Sequence, residues 1–148
     1  MRVGGPACAR EEENRLKIQE SAENYLEAIL ILKGQNGKVR SIDIARYFDF
    51  TKPSISRAIG LFKSNGYVSV DKDGFIELTE SGLAIAEKMY ERHLFISRWL
   101  EHIGVDAETA ARDACRIEHV ISDETFDKGY VIIRLAAANR ISFKRRAI

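Results

Sequence analysis

Cys115, Glu118 and His119 stand at i, i+3 and i+4, so on a helix all three project from one face. A thiolate, a carboxylate and an imidazole together form a mixed sulfur, oxygen and nitrogen donor set suited to a divalent transition metal. The chain has only three histidines. A second one, His93, lies upstream on a stretch of helical period. If the two stretches pack antiparallel through a turn at Gly104, His93 approaches the same face. His93 and Cys115 lie eleven residues to either side of Gly104, which predicts that they are level. Asn24 and Glu27, at i and i+3 on an earlier helix, offer two further oxygens. Simpler readings compete: a lone helical cysteine is commonly a small buried apolar residue, and a Glu-His pair is commonly a solvated face.

A second group of residues carries positive charge. Over the whole chain Lys plus Arg number 23 and Asp plus Glu 22, a net +1 that by itself argues against a polyanion partner. The average conceals a segregation. From Lys33 to Lys63 seven basic residues (Lys33, Lys38, Arg40, Arg46, Lys52, Arg57, Lys63) face two acids (Asp43, Asp49), a local +5, while the segments before and after are each −2. A basic block between acidic flanks predicts a local contact with a polyanion.

The elements that would carry these groups follow from periodicity and turn chemistry. Residues 1–9 read as a flexible tail. Leu16, Ala22, Leu26, Ile29, Leu30 and Leu32 recur at helical spacing and stop at Gly34. Ser41 is placed to cap a short helix to Phe48, and Thr51 to cap a second, from Lys52 to Ser64, with Pro53 in its first turn. Tyr67–Val70 and Phe75–Leu78 alternate about Asp73-Gly74, a hairpin signal. Thr79 or Ser81 then opens a long helix to about His102, Asp106 caps another to about Ile121, and Ser122 opens a last one holding Phe126, Tyr130, Ile133 and Leu135. Helix, short helix, tight turn, helix and hairpin make a winged helix-turn-helix.

In the helix after the turn, Ile55, Ile59 and Phe62 form one apolar stripe. The opposite face carries Pro53, Ser56, Arg57 and Gly60, flanked by Lys52 and Lys63, and suits a major groove about 12 Å wide. Arg57 is the candidate for a bidentate contact to guanine. Thr51, Ser54 and Ser56 can reach phosphates or bases, Lys52 and Lys63 can hold phosphates, Lys72 sits at the hairpin tip, and Arg40 belongs to the same basic face.

Several classes are excluded. No apolar run is long enough to span a membrane. Charges from Arg10 to Glu13 occupy the place of a signal-peptide core. Two cysteines, Cys8 and Cys115, make no disulfide framework, so a cytoplasmic protein is expected. No nucleophile–base arrangement is traceable, and Gly34 to Gly37 lacks the Lys-Ser/Thr ending of a phosphate loop, so no enzyme is expected.

These residues resemble the iron- and manganese-dependent repressors, the family of the diphtheria toxin repressor and the manganese transport regulator. The segment 21–27 (SAENYLE) resembles that family's first helix, Pro53-Ser54-Ile55-Ser56 its helix-turn-helix, and 113–122 (DACRIEHVIS) its metal-binding helix. The resemblance spans roughly residues 20–135. It implies a mainly α fold with a β-hairpin wing: a winged helix-turn-helix over residues 10–79, a helical metal-binding and dimerisation domain over 80–140, and a basic tail over 141–148. Relatives carry a further SH3-like domain, and this chain reads as the short, two-domain form.

The resemblance also implies a ligand set. Glu27, His93, Glu118 and His119 match ligand positions of the manganese-responsive branch. Cys115 stands where that branch has Glu and the iron-responsive branch has Cys, and Asn24 where the two have Asp and Met. Ser97 and Ala111 replace accessory-site ligands, which leaves a second metal in doubt. The implied function is a metal-dependent repressor of metal-uptake genes that binds a pseudo-palindromic duplex operator as a homodimer. Oxygen ligands favour Fe(II) or Mn(II), while the thiolate also admits Co(II), Ni(II) or Zn(II). A winged-helix regulator answering to another ligand or partner is the alternative. Leu94, Phe95, Trp99, Leu100, Ile103, Val120 and Phe126 are more apolar surface than one small lobe should expose, which predicts the homodimer.

Overall fold

The computed structural model describes the backbone of residues 6–133 and the side chains of residues 19–133. Six helices and one two-stranded antiparallel sheet occur among the described residues: α1 (Pro6–Asn36), α2 (Ser41–Phe48), α3 (Lys52–Ser64), β1 (Val68–Val70), β2 (Ile76–Leu78), α4 (Glu80–His102), α5 (Ala107–Val120) and α6 (residues 123–133). The Cys8 side chain, the end of the last predicted helix and the basic tail at 141–148 lie outside the described residues. Helix α1 begins at Pro6, so residues 6–9, expected as tail, are helical. Proline is tolerated in a first turn, and Ala7 and Ala9 are strong helix formers. No helix of the described residues is long and apolar enough to cross a membrane.

The chain divides into two compact units between Tyr90 and Glu91, within α4. The first turns of α4 belong to the first unit for a physical reason. Ala86 is fully buried in that unit's core, and Gly82 lies so close to the main chain of Tyr67 that a Cβ there would stand 2.0 Å from the Tyr67 carbonyl oxygen.

In the first unit, Leu26 and Ile29 of α1, Val39, Ile44 of α2, Ile55, Ile59 and Phe62 of α3, Val68 and Ile76 form one core. Tyr25 ties the helices together, its ring 5.0 Å from Phe48 and 5.5 Å from Phe62. Burial raises the Tyr25 phenol above its ordinary pKa by desolvation. Helix α2 ends at Asp49, whose φ of 55° lies in the left-handed region, while Phe50 N–H donates to the Ala45 carbonyl at 2.9 Å. Aspartate accepts that conformation more readily than most residues, which lets a three-residue turn aim α3.

Ser41 is not the cap of α2; Arg40 is. Arg40 is extended and bridges to Phe75, while Ile76 N–H donates to the Val39 carbonyl at 2.8 Å. Pairing with the wing holds the chain extended through Arg40 and leaves Ser41 as the first helical residue. The Asp43 carboxylate accepts the Arg40 N–H at 2.8 Å and so performs the capping. In the wing Val68 pairs with Leu78 and Val70 with Ile76. Asp71 Oδ1 accepts the N–H groups of Asp73 and Phe75, each at 2.9 Å, Gly74 has φ 80°, and Lys72 is exposed at the tip. Thr79 caps α4 by accepting the Gly82 N–H.

In the second unit, Ile96 and Leu100 of α4 cluster with Ala110 and Ala114 of α5, with Phe95, Val105, Ile117 and Ile121 against them. Phe95 also meets Phe126 edge-on at 5.3 Å and Tyr130 at 5.1 Å. Leu100 and Phe126, expected on a dimerisation surface, are therefore inside this unit's own core. Trp99, Ile103 and Val120 remain exposed, joined by Val131 and Ile132. Gly104, at φ 102°, makes the turn before α5.

Asp106 caps α5 by accepting the Thr109 N–H at 3.0 Å. The Thr109 backbone and side-chain hydrogen bonds lower the Asp106 pKa below the usual carboxylate range. A depressed folded pKa gives stability that is present above the unfolded value and lost as pH falls through the folded one. The difference in urea midpoint between wild type and Asp106→Ala should thus be full at neutral pH and shrink as pH drops below the carboxylate range.

Candidate metal centre and nucleic-acid interface

Helix α5 presents its ligand face as the spacing predicts. One donor atom each from Cys115, Glu118 and His119 lie within 4.8 Å of one another. Cys115 is exposed, whereas the Glu118 side chain is fully buried and that of His119 is 4% exposed. His93 on α4 brings Nδ1 to 2.9 Å from Glu118 Oε2. The other oxygen, Oε1, is buried and accepts no hydrogen bond, with His119 Nε2 3.4 Å away. A carboxylate oxygen removed from water without a donor is costly unless a cation or a proton meets it. The orphaned oxygen between a thiol and two imidazoles therefore fits a divalent metal, by position and by donor chemistry.

The structure corrects one expected alignment. His93 faces Glu118, not Cys115. The turn between α4 and α5 extends through Gly104, Val105 and Asp106, and the His93–Glu118 contact centres the antiparallel pair about one and a half residues later than Gly104. Shifting the centre by one and a half residues moves the partner by three, from Cys115 to Glu118. Asn24 and Glu27 stand in the first unit, on α1. Glu27 is buried, and Asn24 Nδ2 donates to the Glu20 carbonyl at 3.0 Å. Ser97, one turn beyond His93, is buried with its hydroxyl unbonded among the described residues, and it contributes no charge.

One residue of this neighbourhood escapes sequence reasoning. Arg92 is only 5% exposed, and its Nη1 donates to the carbonyls of Glu118 at 3.0 Å and Ile121 at 2.9 Å. Nothing in sequence distinguishes Arg92 from the exposed basic residues of the same helix. Only its place beside His93 hints at it.

The candidate nucleic-acid face lies on α3. Ile55, Ile59 and Phe62 are buried at 0%, 6% and 5% exposure, which fixes the roll of the helix. Thr51, Lys52, Pro53, Ser54, Ser56, Arg57 and Lys63 are all exposed. Thr51 Oγ1 and Ser54 Oγ lie 3.0 Å apart at the helix start, so the two hydroxyls bond each other. Arg40 is exposed too, its guanidinium 4.3 Å from the centre of the Phe75 ring, and Lys38 Nζ is 4.6 Å from the same ring. Phe75 so holds two cations at the base of the wing. Lys33 pairs with Glu77 of β2, which ties α1 to the wing.

A winged helix with an exposed basic recognition helix, followed by a helical unit with a metal-ligand cluster, defines a metal-responsive DNA-binding protein class. Comparison with known proteins places the chain within it. The sequence profile of the iron dependent repressor N-terminal DNA binding domain matches residues 17–75, and that of the iron dependent repressor metal binding and dimerisation domain matches residues 79–132. The uncharacterized HTH-type transcriptional regulator MJ0568 of Methanocaldococcus jannaschii is 31% identical over 113 residues, 75% of this chain and 90% of that protein. The transcriptional regulator MntR of Salmonella typhimurium is 30% identical over 109 residues, 74% of this chain and 69% of that protein. The crystal structure of the metal-dependent transcriptional regulator MtsR superposes with a TM-score of 0.71 at 26% identity, over 76% of this chain and 53% of that one. The chain thus spans about half the length of that solved structure. The chain belongs to the iron-dependent repressor family.

Proposed function

We propose that this protein is a metal-dependent transcriptional repressor of metal-uptake genes that binds a pseudo-palindromic operator as a homodimer. The observation that carries the reading is the buried Glu118 carboxylate, with one oxygen on His93 and the other unbonded beside His119 and Cys115. His93, Cys115, Glu118 and His119 would hold the ion, and the resemblance adds Glu27 and Asn24 from α1. Fe(II) and Mn(II) suit the carboxylates, and the Cys115 thiolate also admits Co(II), Ni(II) or Zn(II). When bound, the metal supplies differential binding energy for the DNA-competent arrangement, which a ligand switch requires.

The chain's own residues do the rest. Arg57 reads a base edge, Ser54, Ser56 and Thr51 reach phosphates or bases, and Lys52 and Lys63 hold phosphates, with Arg40 and Lys72 at the wing. Pro53 starts α3 without an N–H to satisfy, so the helix end can approach the duplex. The exposed Trp99, Ile103 and Val120 are apolar surface for a second copy. Two recognition helices about 34 Å apart would meet successive major grooves.

The test is an operator-binding titration of the wild-type chain with Mn(II), Fe(II), Co(II) or Zn(II) and with a chelator. Operator affinity is expected to rise with at least one of these metals and to fall when the chelator is added. Affinity indifferent to all of them would overturn the reading in favour of a metal-independent regulator.

A further inference from the structure

We infer that Arg92 is a positioning residue for the metal ligands Glu118 and His119, an inference that rests on the metal reading above. The last carbonyls of a helix have no partner within the helix and ordinarily turn to water. At the end of α5, Arg92 takes two of them, those of Glu118 and Ile121, through one nitrogen. Its other terminal nitrogen pairs with Asp123, and its guanidinium carbon lies 5.2 Å from the centre of the Phe126 ring. Arg92 and His93 are consecutive on α4. The first holds the main chain of Glu118, and the second holds its carboxylate at 2.9 Å. Glu118 is thus gripped at both ends by neighbouring residues of one helix, and His119 is carried with it.

The charges favour the same conclusion. A buried guanidinium close to a cation site would repel the ion unless it were neutralised. Asp123 provides that neutralisation from a side chain 67% exposed. Arginine's planar fork serves the two carbonyls and the carboxylate together, and lysine's single ammonium cannot reproduce that geometry. Outer groups that orient metal ligands typically change affinity by about 10–100-fold when lost.

The experiment is a Co(II) titration of the full chain, followed by the visible d–d bands, for wild type and Arg92→Lys, with the far-ultraviolet circular dichroism of each metal-free protein recorded alongside. Folded Arg92→Lys is expected to bind Co(II) about 10–100-fold more weakly and with displaced bands. A purely structural role would lower thermal stability and leave the bands of the loaded protein in place. Folded Arg92→Lys with wild-type affinity and bands overturns the inference. If Arg92→Lys does not fold, Asp123→Ala decides, because it removes the guanidinium's second anchor and so loosens its hold on the two carbonyls. Weakened Co(II) binding with displaced bands in Asp123→Ala supports the inference, and wild-type affinity and bands overturn it. A wild-type chain that takes up no Co(II), Mn(II) or Fe(II) overturns the metal reading itself and this inference with it.

Discussion

His119→Ala is expected to abolish the metal stimulation of operator binding while the winged helix keeps its fold. The physical basis is the environment of Glu118. Its carboxylate is fully buried, with Oε2 on His93 and Oε1 unbonded. The fit for a divalent ion depends on several donors converging where water is excluded, and His119, at 4% side-chain exposure, is one of the buried ones. Removing a ligand itself should cost more than the roughly 10–100-fold typical of an outer partner. The expected loss of metal affinity is therefore about 100-fold or greater. The measurement is operator affinity across a metal titration, for wild type and variant. Cys115→Ser is the graded companion, because that thiol is exposed and a hydroxyl keeps the shape. It should weaken softer ions such as Co(II) and Zn(II) more than Mn(II). An undiminished metal response in His119→Ala would remove the α5 cluster as the site.

Arg57→Ala should weaken operator binding by about 1–3 kcal/mol, or about 5- to 150-fold, and relax the base preference at one position of each half-site. The orientation of α3 supports this. Ile55, Ile59 and Phe62 are locked in the core, so the helix cannot roll, and Arg57 stands on the opposite, exposed face. Lys63→Ala is the contrast. A phosphate contact should weaken all sequences about equally and reduce the slope of log affinity against log salt by about one. The pair is measured by competition among operator variants at several salt concentrations. Unchanged affinity and preference in Arg57→Ala would mean that α3 is not the reading helix.

The folding of each unit follows from forces that act at short range. The stripe on α3, the Asp106 cap, the Asp73-Gly74 turn and the common face of Cys115, Glu118 and His119 are all consequences of a period or a turn preference. Even the deceptive net charge of +1 divides along the chain into a basic stretch, Lys33 to Lys63, and acidic flanks. These features could be read without a structure because each depends on residues a few positions apart.

What required the tertiary structure depends on how separate elements meet. The α4–α5 pair is centred about one and a half residues later than symmetry about Gly104 implies, and that shift decides that His93 meets Glu118 rather than Cys115. The core takes Ala86 and crowds Gly82 against Tyr67, so the first turns of α4 pack with the first unit. Pairing with the wing holds Arg40 extended and moves the cap of α2 from Ser41 to Arg40. Leu100 and Phe126, apolar in a way that suggested a subunit surface, are consumed by their own unit. Arg92 looks in sequence like any solvated helix cation, yet it is buried across the end of α5. Periodicity determines which face of a helix is apolar and which residues share it. Only packing determines the register in which two faces meet, and register decides which donor atoms converge.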